Sequence, residues 1–152
     1  MVDLKEVDLP VFAERNHPRL QKYESDRQKA WSARVAALDA FVFVTPEYNH
    51  GPSPALLNAL DYLFVEWHYK AAAFVSYGGI SGGLRAVQMT KQTLTTLRMV
   101  PIVEAVVIPS VAQAVDRDAG VFKANELHEK SAAVLLDELL RWTEALAVLR
   151  RP

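Results

Sequence analysis

Apolar and polar positions divide this chain into short continuous runs and longer periodic ones. Phe41 to Val44 and Ala71 to Ser76 are unbroken apolar stretches, the pattern of parallel strands covered on both faces. Ile102 to Ile108 is a third such stretch, bounded by Pro101 and Pro109, with Val103, Ala105 and Val107 on one face and Val106 and Ile108 on the other. Residues 2–9 alternate with one slip of phase (Val2, Leu4, then Val7, Leu9) and predict a short, less buried strand closed by Pro10.

Helical spacing takes over between the runs. Ser25-Asp26-Arg27-Gln28 is a capping box, and Trp31, Val35 and Leu38 form the buried stripe of the helix it starts. Trp31 is in phase with that stripe, so it is read as core and not as a stacking platform. Ser53 and Pro54 suit an N-cap and first helical position, ahead of Leu56, Leu60, Leu63 and Phe64. A further helix runs from Leu84 to about Arg98. The last begins near Asn125, with Leu127, Leu135, Leu139, Trp142, Leu146 and Leu149 on one stripe that covers the sheet or meets a partner. Residues 11–23 and 110–123 read as irregular. The order β, α, β, α, β, α, β, α predicts an α/β fold, a doubly wound parallel sheet in a single domain over residues 1–152.

Composition narrows the function. A chain of 152 residues, 51% hydrophobic, buries one core and is not disordered. Its 17 basic and 18 acidic residues leave a net charge of −1, with no footprint for nucleic acid or an anionic membrane. No apolar run approaches a membrane span, and the N-terminus does not read as a signal peptide. The absence of cysteine excludes disulfides and thiolate chemistry and fits a cytoplasmic protein.

Candidate chemistry lies at the ends of the strands, where open α/β sheets bind ligands. Pro46-Glu47-Tyr48-Asn49-His50-Gly51-Pro52 follows the first apolar strand. Tyr77-Gly78-Gly79-Ile80-Ser81-Gly82-Gly83 follows the second, with four of the chain's six glycines. Glycine admits close approach of a ligand to the backbone, and the free amides of the next helix favour an anionic or electron-rich group. A turn that merely packs helix on strand would also use glycines.

The Pro46-Glu47-Tyr48-Asn49 turn, the Asn58-Ala59-Leu60-Asp61 helix at its spacing and the downstream glycine loop together resemble the NADPH-dependent FMN reductase family of flavodoxin-like flavoproteins. Leu57 stands where the family often has lysine. The resemblance covers nearly the whole chain and implies an FMN-dependent NAD(P)H oxidoreductase that uses NADPH or NADH and passes hydride through FMN to a flavin, quinone or similar small acceptor. It further implies that Pro46, Glu47, Tyr48 and Asn49 cradle the flavin on one side, and that Ser76, Tyr77, Gly78 and Gly79 meet it on the other, with Ser81 and Gly82 nearby. A homodimer or homotetramer built through residues 54–67 is implied as well. Under the family's strand order, residues 2–9 would be its second strand, so the fold is expected to be truncated at the N-terminus, without the first strand and its phosphate-binding loop.

Two other readings compete. One reads the chain as a non-catalytic, truncated interaction subunit that keeps the family's contact surface. Alternatively, Gly79-Ile80-Ser81-Gly82-Gly83 satisfies G-x-S-x-G, and Asp116 or Asp118 and then His128 follow in hydrolase order, so Ser81 could be a nucleophile. Tyr77 and Gly78 lengthen the turn beyond a sharp elbow, which counts against that. The glycines fit neither G-x-G-x-x-G nor a Walker loop, and His17, His50, His68 and His128 have no metal-binding spacing.

Overall fold

A computed structural model of the chain describes residues 1–150. A short helix α1 (Leu4–Val7) is followed by α2 (Asp26–Ala36), strand β1 (Ala40–Pro46), α3 (Pro54–Asp61), β2 (Ala71–Tyr77), α4 (Leu84–Thr96) and β3 (Val100–Ile108). A hairpin of β4 (Val115–Asp116) and β5 (Val121–Phe122) leads into the long helix α5 (Glu126–Leu146). No helix among the described residues is long and apolar enough to cross a membrane.

The principal sheet is parallel, in the order β1-β2-β3, with Thr45 opposite Ser76 and Pro46 opposite Tyr77 at one end. Successive β2 side chains leave opposite faces. Ala72 and Phe74 join Trp31, Val35, Leu60 and Leu94 in the core under α2, α3 and α4. Ala71 and Ala73 join Ile102, Val106, Leu135 and Leu139 in a second core under α5. Helices on both faces of a parallel sheet match the expected α/β class.

Residues 2–9 are not a strand. Asp3 caps α1 by accepting the Lys5 amide at 2.9 Å, and Asp8 turns left-handed to end it. The apolar residues of this segment (Val2, Leu4, Val7, Leu9) instead pack onto the core beneath α2 and α3. Alternation with a slipped phase fits one helical turn as well as a strand, and packing decided between them. Asn58 and Tyr62 hold the following residues: the Phe12 amide donates to Asn58 Oδ1 (2.8 Å), while Asn58 Nδ2 (2.8 Å) and the Tyr62 hydroxyl (3.0 Å) donate to the Pro10 carbonyl.

Smaller departures follow the same logic. Ser25 caps α2 through the Gln28 amide, but the Gln28 side chain donates to the Tyr62 carbonyl rather than back to the cap. Ser53 precedes α3 without a side-chain cap bond. Leu38 lies beyond the end of α2 and is exposed, while Trp31 is core and donates to the Ala59 carbonyl at 2.9 Å. Residues 110–123, expected to be irregular, contain the small hairpin, whose turn Asp116 braces by accepting the Asp118 and Ala119 amides. Asn125 caps α5 reciprocally with His128. Of the predicted α5 stripe, Leu135, Leu139 and Leu146 are buried, whereas Leu127, Trp142 and Leu149 face solvent.

Candidate flavin site

Parallel pairing puts the carboxyl ends of β1, β2 and β3 side by side, so the loops that follow them converge. All ten sequence-predicted residues fall on the first two loops or the strand ends that carry them. Pro46 closes β1, Ser76 and Tyr77 close β2, and the register sets Pro46 beside Tyr77.

The turn after Glu47 is closed by a reciprocal pair of bonds, Tyr48 amide to Gly51 carbonyl (2.9 Å) and Gly51 amide to Tyr48 carbonyl (2.8 Å). Asn49 (φ 50°) and His50 (φ 68°) are both left-handed, as a two-residue type I′ turn demands, and asparagine tolerates that conformation well. The turn lifts the Tyr48 ring to the surface, 55% exposed.

The second loop is shaped by what its glycines would otherwise strike. A Cβ on Gly82 (φ 59°) would lie 2.5 Å from Val107 Cγ1, and one on Gly83 (φ 85°) 2.9 Å from the Tyr77 carbonyl oxygen. These two residues therefore answer to packing against the strand ends, which is the plainer of the two explanations for the glycines. Gly79 differs. A Cβ there meets nothing within 4 Å, so its backbone is open to a ligand. Beneath the loop Ser76 is fully buried, and its hydroxyl has no hydrogen-bond partner.

Glu47 joins the loops. Its side chain is only 7% exposed, and it points at the glycine loop. Oε2 accepts from Ser81 Oγ (3.0 Å) and from the Arg85 amide (3.1 Å), Oε1 accepts from Arg85 Nε (2.6 Å), and Arg85 Nη2 completes the ion pair. Arg85 Nη2 also donates to Ser81 Oγ at 3.2 Å. The Arg85 hydrogen bonds, with those from Ser81 and the backbone and the guanidinium charge, hold the Glu47 carboxyl below its ordinary range against the opposing effect of burial.

This corrects one inference from the sequence. Helix α4 has no side-chain cap of its own, because Gly83 stands at its N-cap, and its first turn carries no acid. Glu47 supplies the cap from the neighbouring loop. The amide at Arg85 is thus already bonded to a carboxylate and does not await a ligand's anion. Arg85 itself escaped the sequence reading, although a signal existed. A lone cation in the first turn of a helix opposes the helix dipole, which implies an acid brought from elsewhere.

Ser81 does not have the surroundings of a hydrolase nucleophile. Its hydroxyl is engaged by Glu47 and Arg85, and His128 is committed to the start of α5 through the Asn125 amide. The third loop is tied in by backbone bonds: the Ser110 amide donates to Gly79 (2.8 Å) and the Val111 amide to Gly78 (3.0 Å).

A buried unpartnered hydroxyl, an open glycine backbone and an exposed aromatic ring suit a flat, largely uncharged heteroaromatic group with polar edges. The residues present thus fit the ring of a flavin. They fit its phosphate less well, since the Arg85 amide and guanidinium are held by Glu47.

Comparison with known proteins gives the family. The model of the family described as NADPH-dependent FMN reductase matches residues 1–113, which include both loops and Arg85. An NAD(P)H-dependent FMN reductase of Saccharomyces cerevisiae is 39% identical over 105 residues, covering 65% of this chain and 54% of its own length. A probable NADPH:quinone oxidoreductase of Oryza sativa is 43% identical over 67 residues, covering 42% of this chain and 33% of its own. Among solved structures, a flavoenzyme NAD(P)H:(acceptor) oxidoreductase from Paracoccus denitrificans superposes with a TM-score of 0.64 at 23% identity, over 92% of this chain and 76% of that one. That likeness is one of fold. The chain spans between a third and about half of the length of the curated relatives it matches.

Proposed function

Starting from the fact that this chain belongs to the NADPH-dependent FMN reductase family, we propose that it carries the ring-binding half of an FMN-dependent NAD(P)H oxidoreductase acting on a small acceptor of the quinone or flavin class. The observation that carries this reading is the joined pair of loops at the ends of β1 and β2, with Tyr48 displayed, Gly79 open and Ser76 Oγ unpartnered. A flavin held there would supply the redox chemistry, namely hydride transfer from NADPH or NADH to the acceptor.

This chain's own residues position and shield. Pro46, Tyr48 and Asn49 would flank the ring from the β1 side, and Ser76, Tyr77, Gly78 and Gly79 from the β2 side. Ser76 Oγ is a buried hydroxyl without a partner, lying beneath the glycine loop. Glu47, Ser81 and Gly82 act behind this surface, since their contacts are with Arg85, Val107 and each other's loops. No acid, base or nucleophile is required of the protein. We place the reaction in the cytoplasm of the cell and in a homodimer or homotetramer, the cysteine-free composition being compatible with the first.

A titration of flavin fluorescence tests the reading. The expected result is quenching by the chain, with riboflavin and FMN bound to within about tenfold of each other because a charge-assisted phosphate bond, at about 1.5–3 kcal/mol each, contributes little here. NADPH oxidation with a quinone should require added flavin. Esterase activity abolished by Ser81→Ala, or no quenching by either flavin, would overturn the assignment.

A further inference from the structure

The geometry points to Glu47 and Arg85 as a positioning pair that sets the spacing of the two flavin-cradling loops before any flavin arrives. The inference rests on the proposed flavin reading for its function and on the observed ion pair for its geometry. Glu47 is the residue immediately before the exposed Tyr48 turn, and Arg85 is the second residue of α4, which the glycine loop feeds. One carboxylate accepts from Ser81 Oγ, the Arg85 amide and the Arg85 guanidinium, so it fixes the turn after β1 against both the loop and the helix after β2. The link is largely shielded on the Glu47 side and reaches the surface through Arg85, whose side chain is about half exposed.

Without it, the two loops are joined through their strands alone. The backbone bonds from Ser110 and Val111 tie the glycine loop to the loop after β3 and leave the Tyr48 turn untouched. Tyr48 and Asn49 then depend on Glu47 for their distance from Gly78 and Gly79. A site of fixed spacing binds its ligand without first ordering a loop, which strengthens binding by preorganisation rather than by contact. Because the pair acts on the ring end, its removal should affect riboflavin and FMN alike.

The test uses the purified chain with riboflavin as probe. Glu47→Ala and Arg85→Ala should each weaken binding about tenfold, and the double variant should be no weaker than the poorer single one, since the two act through one link. Arg85→Lys should recover part of the affinity, a lysine replacing the planar fork by a point charge. Thr90→Ala, which removes a buried hydroxyl bonded at 2.8 Å to the Ala86 carbonyl elsewhere in α4, serves as the control and should leave affinity unchanged. Additive losses, or wild-type affinity in Glu47→Ala, would overturn the inference. Amide hydrogen exchange over residues 48–51 is a second readout that needs no flavin. Exchange accelerated in Glu47→Ala but not in Thr90→Ala supports the pair even if riboflavin fails to bind the wild type, which would count against the flavin reading alone; unchanged exchange overturns the pair.

Discussion

Along the outer side of β3, Pro101 stands near the start and Glu104 midway, the register against β2 shifts between Ala72 and Phe74, and Lys91 Nζ donates to the Ile102 carbonyl at 3.0 Å. Along β1, the residues from Ala40 to Thr45 contain no proline and no charge, and the pairing with β2 is regular throughout. Both edges expose valine, Val103 at 84% on β3 and Val44 at 64% on β1, with Val42 also exposed. On β3 the valine sits in an interrupted, charged stretch. On β1 it sits in an uninterrupted apolar one, on the sheet face that α5 covers mainly over β3 and β2. Proline, charge and irregularity are the devices by which sheet edges avoid pairing with other chains. β3 has them and residues 40–45 of β1 lack them, so of the two edges of the described sheet the β1 edge is the less protected.

The first prediction breaks the symmetry of the two valines. If two copies pair along β1, Val44→Lys should weaken that pairing, measured by light scattering against concentration, on the order of tenfold, because an isologous contact brings the new charge in twice. Val103→Lys should change it little. Equal effects would mean that exposure alone, and not edge protection, governs association.

A second prediction concerns how the ends of β1 and β3 are tied to the glycine loop. The β3 link is made of backbone amides and does not titrate, whereas the β1 link is the Glu47 carboxylate. Its folded pKa is lowered, so the stabilisation is fully present above the ordinary carboxylate value of 4.5 and is lost as pH falls through the lowered value. Protection of the Arg85 amide, corrected for intrinsic exchange, should therefore fall in acid below that of Ser110 and Val111. Parallel loss at all three would point to global unfolding instead.

The smallest expected effect sharpens the account of the β3 edge. Lys91→Met keeps the stem and removes the donor to the Ile102 carbonyl, and it should cost about 1 kcal/mol in denaturant unfolding. A loss several times larger would show that the lysine supports the β3 irregularity and not one hydrogen bond.

The three strands of the sheet and helices α2 to α5 were legible in the residues, because continuous apolar runs and helical stripes are local consequences of burial on two faces or one. Both loops of the candidate site were legible too, since Pro46 marks the end of β1 and the cluster at Gly78, Gly79, Gly82 and Gly83 marks a backbone under constraint. What residues 2–9 would do was not, for a single amphipathic turn carries too few positions to separate period two from period 3.6, and its fate depended on the core it packs against. Nor could the sequence say which glycines serve a ligand. Gly82 and Gly83 are required by Val107 and Tyr77, residues brought to them by the sheet, while of the loop's four glycines only Gly79 faces open space. The amino acids by themselves determined the family and the order of the three sheet strands and helices α2 to α5. Tertiary structure decided that Glu47 turns from the cradle to Arg85, 38 residues away, because a carboxylate's partner is chosen by strand register and not by proximity in the chain.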